Sequence, residues 1–382
     1  MKKIKVMTVF GTRPEAIKMA PVVLELKRRS DQFESVVVVT AQHRQMLDQV
    51  LAIFAIQPDY DLDVMKERQT LAQITANVLI GMEDVMKKER PDIVLVHGDT
   101  TTTFAAGLSA FYNQIKVGHV EAGLRTWNKQ SPFPEEMNRQ VTDVLSDLYF
   151  APTKESAANL LKENHPKEHV YITGNTAIDA LKETIQTNYR HEVLDKLTDG
   201  NRLILMTMHR RENQGKPMER VFKAVRKVVD AYPDIEVVYP VHLNPVVQEL
   251  AAKELGNHPR IHLINPLDVI DFHNIAAKSY FIMSDSGGVQ EEAPSLGVPV
   301  LVLRETTERP EGVAAGTLKL VGTKTEDVLD AMKQVLDDSE THKKMAAAKN
   351  PYGDGIAAER ILDVLAYELG QNSERPENFK NK

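Results

Sequence analysis

The stretch Tyr280-Phe-Ile-Met-Ser-Asp-Ser-Gly-Gly-Val-Gln-Glu-Glu-Ala-Pro294 decides the fold. It begins as an apolar strand, breaks at Ser286-Gly287-Gly288, and resumes as a helix carrying Gln290, Glu291 and Glu292 in its first turn. Paired glycines let the backbone turn tightly and approach a ligand with no Cβ in the way. The free N–H groups of a helix start favour an anion such as phosphate. A carboxylate near that turn can accept hydrogen bonds from a ribose. One short segment can thus hold the phosphate and sugar of a nucleotide. The plain alternative is a strand-to-helix turn capped by acids.

The same strand-then-helix style recurs outward in both directions. Strands are expected at Ile4–Phe10, Ser35–Thr40, Ile93–His97, Lys116–Val120 and Leu148–Ala151 in the first half. In the second half they are expected at Leu203–Met206, Glu236–Pro240, Ile261–Ile264, Tyr280–Met283, Pro299–Leu303 and Leu318–Val321. Their apolar residues cluster with little alternation, which points to strands covered on both faces and so to parallel sheets. Between them lie helical patterns such as Glu15–Arg29, with Pro14 suited to the first helical position. A chain of 382 residues is too long for one ordinary domain. The expected architecture is α/β, two Rossmann-like doubly wound parallel-sheet domains around a cleft. The first spans 1–172 and the second 173–355, with a linker near Tyr171–Asn175. The C-terminal helix, about 356–382, is expected to pack back on the first domain, and the polar tail from Gln371 to fray.

Ligands of such sheets bind beyond the carboxyl ends of the strands. The polar clusters of this chain fall there: Gly11-Thr12-Arg13, His97-Gly98-Asp99-Thr100, Glu121-Ala-Gly-Leu-Arg125 and His209-Arg210-Arg211-Glu212. Acids and bases gathered at matching strand ends argue for an enzyme over a scaffold. Composition narrows the chemistry. Hydrophobic residues at 42% and charged residues at 26% are ordinary for a globular protein. A net charge of −7 argues against a nucleic-acid binder but not against a nucleotide held by a few placed Arg and Lys. With no cysteine, disulfides, thiolate metal sites and thiol nucleophiles are excluded; this fits the cytoplasm. No apolar run is long enough to span a bilayer. The apolar run near Met1 is too short for a signal peptide and reads as a first strand. His209, His242, His262 and His273 are scattered, so no metal site is expected. No G-x-G-x-x-G follows a strand and no P-loop exists, so no tightly held cofactor is expected.

Each candidate has a plain alternative. Arg13 presents a fork of donors suited to a diphosphate, or a loop salt bridge. Lys18, one turn into the helix, is a ligand or a surface lysine. Asp99 is a general base in a closed cleft, or the cap of the next helix. Glu121 ends a buried strand, a better place for a catalytic acid than a surface helix. Glu135, in the stiff loop Ser131–Glu136, is a cleft carboxylate or half of an i,i+4 pair with Arg139. His209 heads a cationic cluster suited to phosphate binding or proton donation. Arg309 lies in a charge-rich loop after the Pro299 strand, facing a phosphate or solvent.

At this point Phe10-Gly-Thr-Arg-Pro-Glu-Ala-Ile-Lys18, Val96-His-Gly-Asp-Thr100, His119-Val-Glu-Ala-Gly-Leu-Arg-Thr126, Pro134-Glu-Glu-Met-Asn-Arg139, His209-Arg-Arg-Glu212, Ser286–Pro294 and Thr306-Thr-Glu-Arg-Pro310 can be taken together. On these motifs the chain resembles the non-hydrolysing bacterial UDP-N-acetylglucosamine 2-epimerases over essentially its full length. The resemblance implies the glycosyltransferase-B architecture, a homodimer and no cofactor. It implies UDP-sugar binding by Arg13, Lys18, His209, Phe272, Ser286, Gly287, Gly288, Glu292 and Arg309. It implies catalysis by Asp99, Glu121 and Glu135, with Arg139 and His209. Relatives with a second UDP-sugar site suggest an allosteric activator, UDP-N-acetylglucosamine, lined by Gln42, Gln45, Arg68, Arg211 and His242. The chain departs from the usual pattern at Met208, Ser284, Gln130 and Leu267, the last at a position that is Gln in some members.

Carbon 2 of the sugar has no adjacent carbonyl, so simple deprotonation there is implausible. Elimination remains: a carboxylate takes the C2 proton as UDP leaves C1, and UDP re-adds after protonation of the other face. The product would supply cell-surface polysaccharide synthesis. The competing expectations are a UDP-sugar-dependent glycosyltransferase, a hydrolysing 2-epimerase and a non-enzymatic nucleotide-sugar sensor.

Overall fold

The computed structural model describes residues 2–42, 44–66 and 69–380. Its contacts divide the chain into two compact units: one comprises the residues up to Glu183 together with 352–380, and the other is Thr184–Pro351. The passage between units therefore falls at 183/184, not at 172/173. The expected linker at Tyr171–Asn175 instead contributes a strand to the first sheet. The helix after it, Thr176–Thr184, belongs to the first unit up to Glu183.

The first unit has a parallel sheet of seven strands among the described residues. They are β1 (Ile4–Phe10), β2 (Phe33–Val39), β3 (Tyr60–Asp61), β4 (Ile93–His97), β5 (Lys116–Val120), β6 (Leu148–Ala151) and β7 (Val170–Ile172). Their order is β3-β2-β1-β4-β5-β6-β7. The second unit has β8 (Arg202–Thr207), β9 (Ile235–Pro240), β10 (Ile261–Ile264), β11 (Phe281–Ser284), β12 (Val300–Val302) and β13 (Leu318–Leu320), in the order β10-β9-β8-β11-β12-β13. Two short strands, β3 and β7, went unmarked in the sequence because neither carries a sustained β-branched run.

Both sheets are wound outward in two directions from one point. In the first, Val9 of β1 pairs with Val38 of β2 on one side and Val96 of β4 on the other. In the second, Leu205 of β8 lies between Val238 of β9 and Ile282 of β11. The central strands are buried almost end to end, β4 and β11 completely. This is why their residues cluster without alternating. Phe10, Phe150, Phe222, Tyr239 and Phe281 are fully buried, and burying each such side chain contributes roughly 1.5–3 kcal/mol. Helix Lys216–Ala231 shows the complementary pattern, inserting Met218, Val221, Phe222, Val225 and Val228 into the second core.

The strand order reverses between β1 and β4 and between β8 and β11. A parallel α/β sheet opens a binding crevice at that reversal, beyond the carboxyl ends. Gly11–Arg13 and Gly98–Asp99 leave the first pair of strands there. His209 and Asp285–Gly288 leave the second.

The C-terminal helix, Ala357–Glu368, is docked on the first unit, with Asp179 accepting from the Ala358 amide at 2.8 Å and Arg29 pairing with Asp363 at 2.7 Å. The tail does not fray as its polarity suggests. The Ile172 amide donates to Asn378 Oδ1 at 2.8 Å, the Phe379 amide donates to the Ile172 carbonyl at 2.7 Å, and Phe379 is buried. β7 is an edge strand, and such an edge is left with unpaired backbone groups unless something covers it. The tail supplies that cover. Among the described residues no helix is long and apolar enough to cross a membrane.

Candidate active site

In the first unit the loop after β1 is built on Thr12. Thr12 caps helix Arg13–Arg28, and Glu15 completes a capping box with it. Only glycine fits at position 11, because a Cβ there would lie 2.0 Å from Thr40 Oγ1 and 2.7 Å from Thr102 Oγ1. This tight packing sets the entry of Arg13, which is half-buried. Lys18 is not a surface lysine: its ammonium pairs with Glu121 Oε1.

The turn after β4 removes the helix-cap reading of Asp99. Thr100, not Asp99, caps helix Thr101–Tyr112. The Asp99 carboxylate instead takes a hydrogen bond from Arg139 Nη2 at 2.6 Å, and the Asp99 carbonyl takes one from Asn138 Nδ2 at 3.0 Å. Arg139 also lies 3.5 Å from Glu136, so its ion pairs are with Asp99 and Glu136 rather than the i,i+4 partner Glu135. Glu136 is fully buried and holds the Thr126 and Trp127 amides at 3.0 Å. That leaves Glu135 half-buried at the helix start, with the structural task done by its neighbour.

Glu121, directly after β5, has φ +68°, a left-handed conformation costly for a residue with a side chain. Its Oε1 takes bonds from Lys18 and from Asn175 Nδ2, the latter at 2.9 Å. A Cβ on Gly98 would lie 3.4 Å from Glu121 Oε2, so the Asp99 turn and Glu121 are immediate neighbours. His97 Nε2 is 3.8 Å from the same Oε2, too far for a hydrogen bond. Burial holds the His97 imidazole down at about 4, against the pull of Glu121, so it is neutral. Under this turn His119 bonds to the Gly98 carbonyl through Nε2 at 2.7 Å and to Asp143 through Nδ1 at 2.6 Å. Burial pushes the Asp143 carboxyl up, but His119 and Arg125 together hold it below the ordinary value. Asn138, Asn175, His119 and Asp143 were missed as site supports. His119 and Asn138 stand inside the quoted motifs, but their partners lie far off in sequence.

In the second unit the quoted stretch forms β11, a turn, and helix Gly287–Glu292 with Ser286 at its cap. Ser284 Oγ bonds Thr207 Oγ1 at 2.7 Å and accepts from the Ser286 amide at 2.9 Å, so serine suffices at this departure from the pattern. Arg309 lies directly over Gly287: a Cβ there would sit 2.6 Å from Nη1 and 2.7 Å from Cζ. The guanidinium is held by Glu291 at 2.8 Å and Glu308 at 2.6 Å. Burial pushes Glu308 up, but Arg309 and Arg304 outweigh it and keep it ionised. Gly288 is open, its nearest neighbour being Glu292 Oε1 at 3.7 Å from a built Cβ. Glu292 Oε2 faces His273 Nε2 at 3.4 Å, and His273 Nδ1 bonds Thr184 Oγ1 at 2.8 Å. Phe272 is partly buried against the same core.

Asp285, which sequence reasoning passed over, organises the loop after β8. Fully buried, it accepts from the His209 amide at 3.1 Å, the Arg210 amide at 2.9 Å and Asn213 Nδ2 at 2.9 Å. His209 Nδ1 is 3.3 Å from it. Desolvation lowers the His209 pKa while Asp285 opposes. The only signal was its place between β11 and the glycine turn. His242 stacks on His209 at 5.8 Å. Of the expected allosteric set, Gln42 accepts from Thr102 Oγ1 at 3.0 Å, Gln45 is exposed in the first unit, and Arg211 and His242 are exposed in the second. Arg68 lies outside the described residues. Among the described residues no cluster of His, Asp or Glu is arranged to hold a metal ion.

The model of the UDP-N-acetylglucosamine 2-epimerase family matches residues 24–366. A UDP-N-acetylglucosamine 2-epimerase of Bacillus subtilis is 63% identical over the full length of both chains. The chain belongs to this family. The family's enzyme from Neisseria meningitidis, solved bound to UDP-GlcNAc, is 50% identical over 95% of this chain and 99% of its own, with a TM-score of 0.88. A calicheamicin glycosyltransferase at 15% identity still matches with a TM-score of 0.61 over 98% of this chain and 100% of its own, a likeness of fold alone. It agrees with the glycosyltransferase-B-like pair of doubly wound units.

Proposed function

We propose that this protein interconverts UDP-N-acetylglucosamine and UDP-N-acetylmannosamine, breaking and remaking the bond between C1 and UDP. The observation that carries this is the pair of carboxylates at the carboxyl ends of β4 and β5. Asp99 is held by Arg139, and Glu121 by Lys18 and Asn175. Neither is spent on capping a helix; Asp99 leaves β4 at the point where the strand order reverses, and Glu121 leaves the next strand, β5. Carboxylates oriented by fixed cations suit proton transfer at the sugar. Several such carboxylates favour proton transfer over simple group transfer or mere binding.

Asp99, Glu121 and Glu135 are assigned to the sugar, with Arg139 orienting Asp99. Ser286, Gly287, Gly288 and Arg309 are assigned to the diphosphate, Arg13, Lys18 and His209 likewise to UDP, Glu292 to the ribose and Phe272 to the base. The backbone N–H groups of the helix start and a guanidinium above Gly287 make an anion cradle. Two further assignments follow. Exposed Ile80, Phe111, Tyr112 and Val144 stand on the helices Leu71–Glu89, Thr101–Tyr112 and Glu135–Leu145, the second of which packs against each of the other two. That apolar face supports a homodimer. Gln42, Gln45, Arg68, Arg211 and His242 are assigned to a second UDP-N-acetylglucosamine that accelerates the reverse reaction. The enzyme works in the cytoplasm and supplies cell-surface polysaccharide synthesis.

The test is incubation of purified protein with UDP-N-acetylglucosamine and identification of the products. Intact UDP-N-acetylmannosamine is expected. Free N-acetylmannosamine with UDP would favour a hydrolysing enzyme, and transfer to an added acceptor a glycosyltransferase.

A further inference from the structure

Glu15 is 2% exposed, yet among the described residues none of its hydrogen-bond partners carries a charge. Oε2 accepts from the Gly11 amide at 3.1 Å and the Thr12 amide at 2.8 Å. Oε1 meets Thr100 Oγ1 at 2.6 Å and Thr103 Oγ1 at 3.0 Å. The first two partners belong to the loop that carries Arg13. The other two, the cap and first turn of helix Thr101–Tyr112, directly follow Asp99. One carboxyl therefore ties together two loops that arise from different strands, β1 and β4.

The hydrogens at this knot can be counted. Thr103 has one hydroxyl hydrogen, and its 2.5 Å contact with the His97 carbonyl requires it. Thr100 has one, and its 2.6 Å contact with Glu15 takes it. The 3.0 Å contact between Thr103 Oγ1 and Glu15 Oε1 is then left without a hydrogen unless Glu15 supplies one. A buried carboxylate without a cation is also costly, and burial does push this carboxyl above its ordinary value despite the four bonds.

We propose that Glu15 is a positioning residue, kept as a neutral carboxylic acid, that locks the Arg13 loop to the Asp99 turn. It rests on the epimerase function proposed above. A neutral acid gives this lock without setting a fixed negative charge beside groups assigned to a diphosphate and to proton transfer. Glutamine is then its closest mimic. In E15Q the amide oxygen accepts from Gly11 and Thr12, and the amide nitrogen donates towards Thr103. Aspartate keeps the acid but falls one methylene short of the second loop.

The experiment compares wild type with E15Q, E15D and E15A in the full chain. Thermal unfolding checks folding, kcat and KM are measured for UDP-N-acetylglucosamine, and infrared difference spectra are recorded at neutral pH. Wild type should show the carbonyl band of a buried protonated carboxyl, lost in E15Q. E15Q should keep kcat within about threefold, while E15D and E15A lose about 10²-fold, the scale of a misplaced catalytic geometry. Absence of the band would overturn the proposal, as would E15Q impaired as badly as E15A, or folded E15A with normal kcat. Should E15A fail to fold, the band and the E15Q–E15D contrast decide. Wild-type protein without any epimerisation would sink the function itself, a result separate from the band.

Discussion

Gly287→Ala tests the anion cradle most sharply, because the structure says where the added methyl goes. It would fall 2.6 Å from Arg309 Nη1 and 2.7 Å from Cζ. Carbon contacts settle near ~3.5–4.0 Å, so the guanidinium must move by about an ångström. Arg309 is the far end of a flexible side chain, so the fold need not yield. Alanine also suits the first turn of helix Gly287–Glu292 better than glycine, by up to about 1 kcal/mol. Stability should therefore hold or rise slightly. The loss falls on the ligand. Moving Arg309 would forfeit the charged hydrogen bond proposed between it and a diphosphate, worth about 1.5–3 kcal/mol, which is roughly 10- to 150-fold in affinity. Calorimetry with UDP should show that weakening in G287A, with the melting temperature unchanged or raised. R309A should weaken UDP to a similar degree. The double variant should be little worse than either single one, since both remove the same contact. UDP affinity within twofold of wild type in folded G287A, or full additivity in the double variant, would refute Arg309 as the mediator.

Gly288→Asp has room for its side chain, since the nearest atom is 3.7 Å from a built Cβ, so it should fold normally yet lose UDP binding by like-charge repulsion; retained binding in a titration would remove this turn from the site. D99N, E121Q and E135Q should each lower turnover by about 10²-fold or more with UDP affinity changed much less; steady-state kinetics with near-normal turnover in all three would defeat the proton-transfer roles. His97 titrates at about 4 in the fold against 6.5 as its ordinary value. The unfolded chain thus binds the extra proton between those values, and stability is complete above pH 6.5 and lost as pH falls toward 4. The loss reaches about 3 kcal/mol. H97N should lack that part of the acid sensitivity; denaturation curves of equal steepness against pH for both proteins would contradict it.

Much of this was legible along the chain. Strands buried on both faces announce themselves as apolar clusters, and the polar groups after Phe10, His97, Val120 and Thr207 stand at strand ends whatever the pairing. What periodicity does not report is who pairs with whom. Lys18 and Glu121 are 103 residues apart, so a lysine whose sequence leaves it ligand or surface proves to be paired with Glu121. Glu135 and Glu136 are indistinguishable by type. Only the turn at Thr126–Trp127 that Glu136 caps separates the structural acid from the available one. Asp285 looked like part of a glycine turn, and its work lies in amides some 75 residues away. The polar tail looked free because composition carries no information about an unpaired sheet edge elsewhere in the chain. The left-handed backbone of Glu121 left no trace at all, since non-glycine residues take it only when their surroundings impose it.

The elimination itself is tested most directly by running the reaction in D₂O and examining C2 of the product. In the proposed course the C2 proton goes to a carboxylate, which exchanges with solvent, before the opposite face is protonated. UDP-N-acetylmannosamine formed in D₂O should carry deuterium at C2, with traces of UDP and an unsaturated sugar released. Product epimerised with its original C2 hydrogen, and no UDP released at any stage, would contradict proton removal and UDP departure as the course of the reaction.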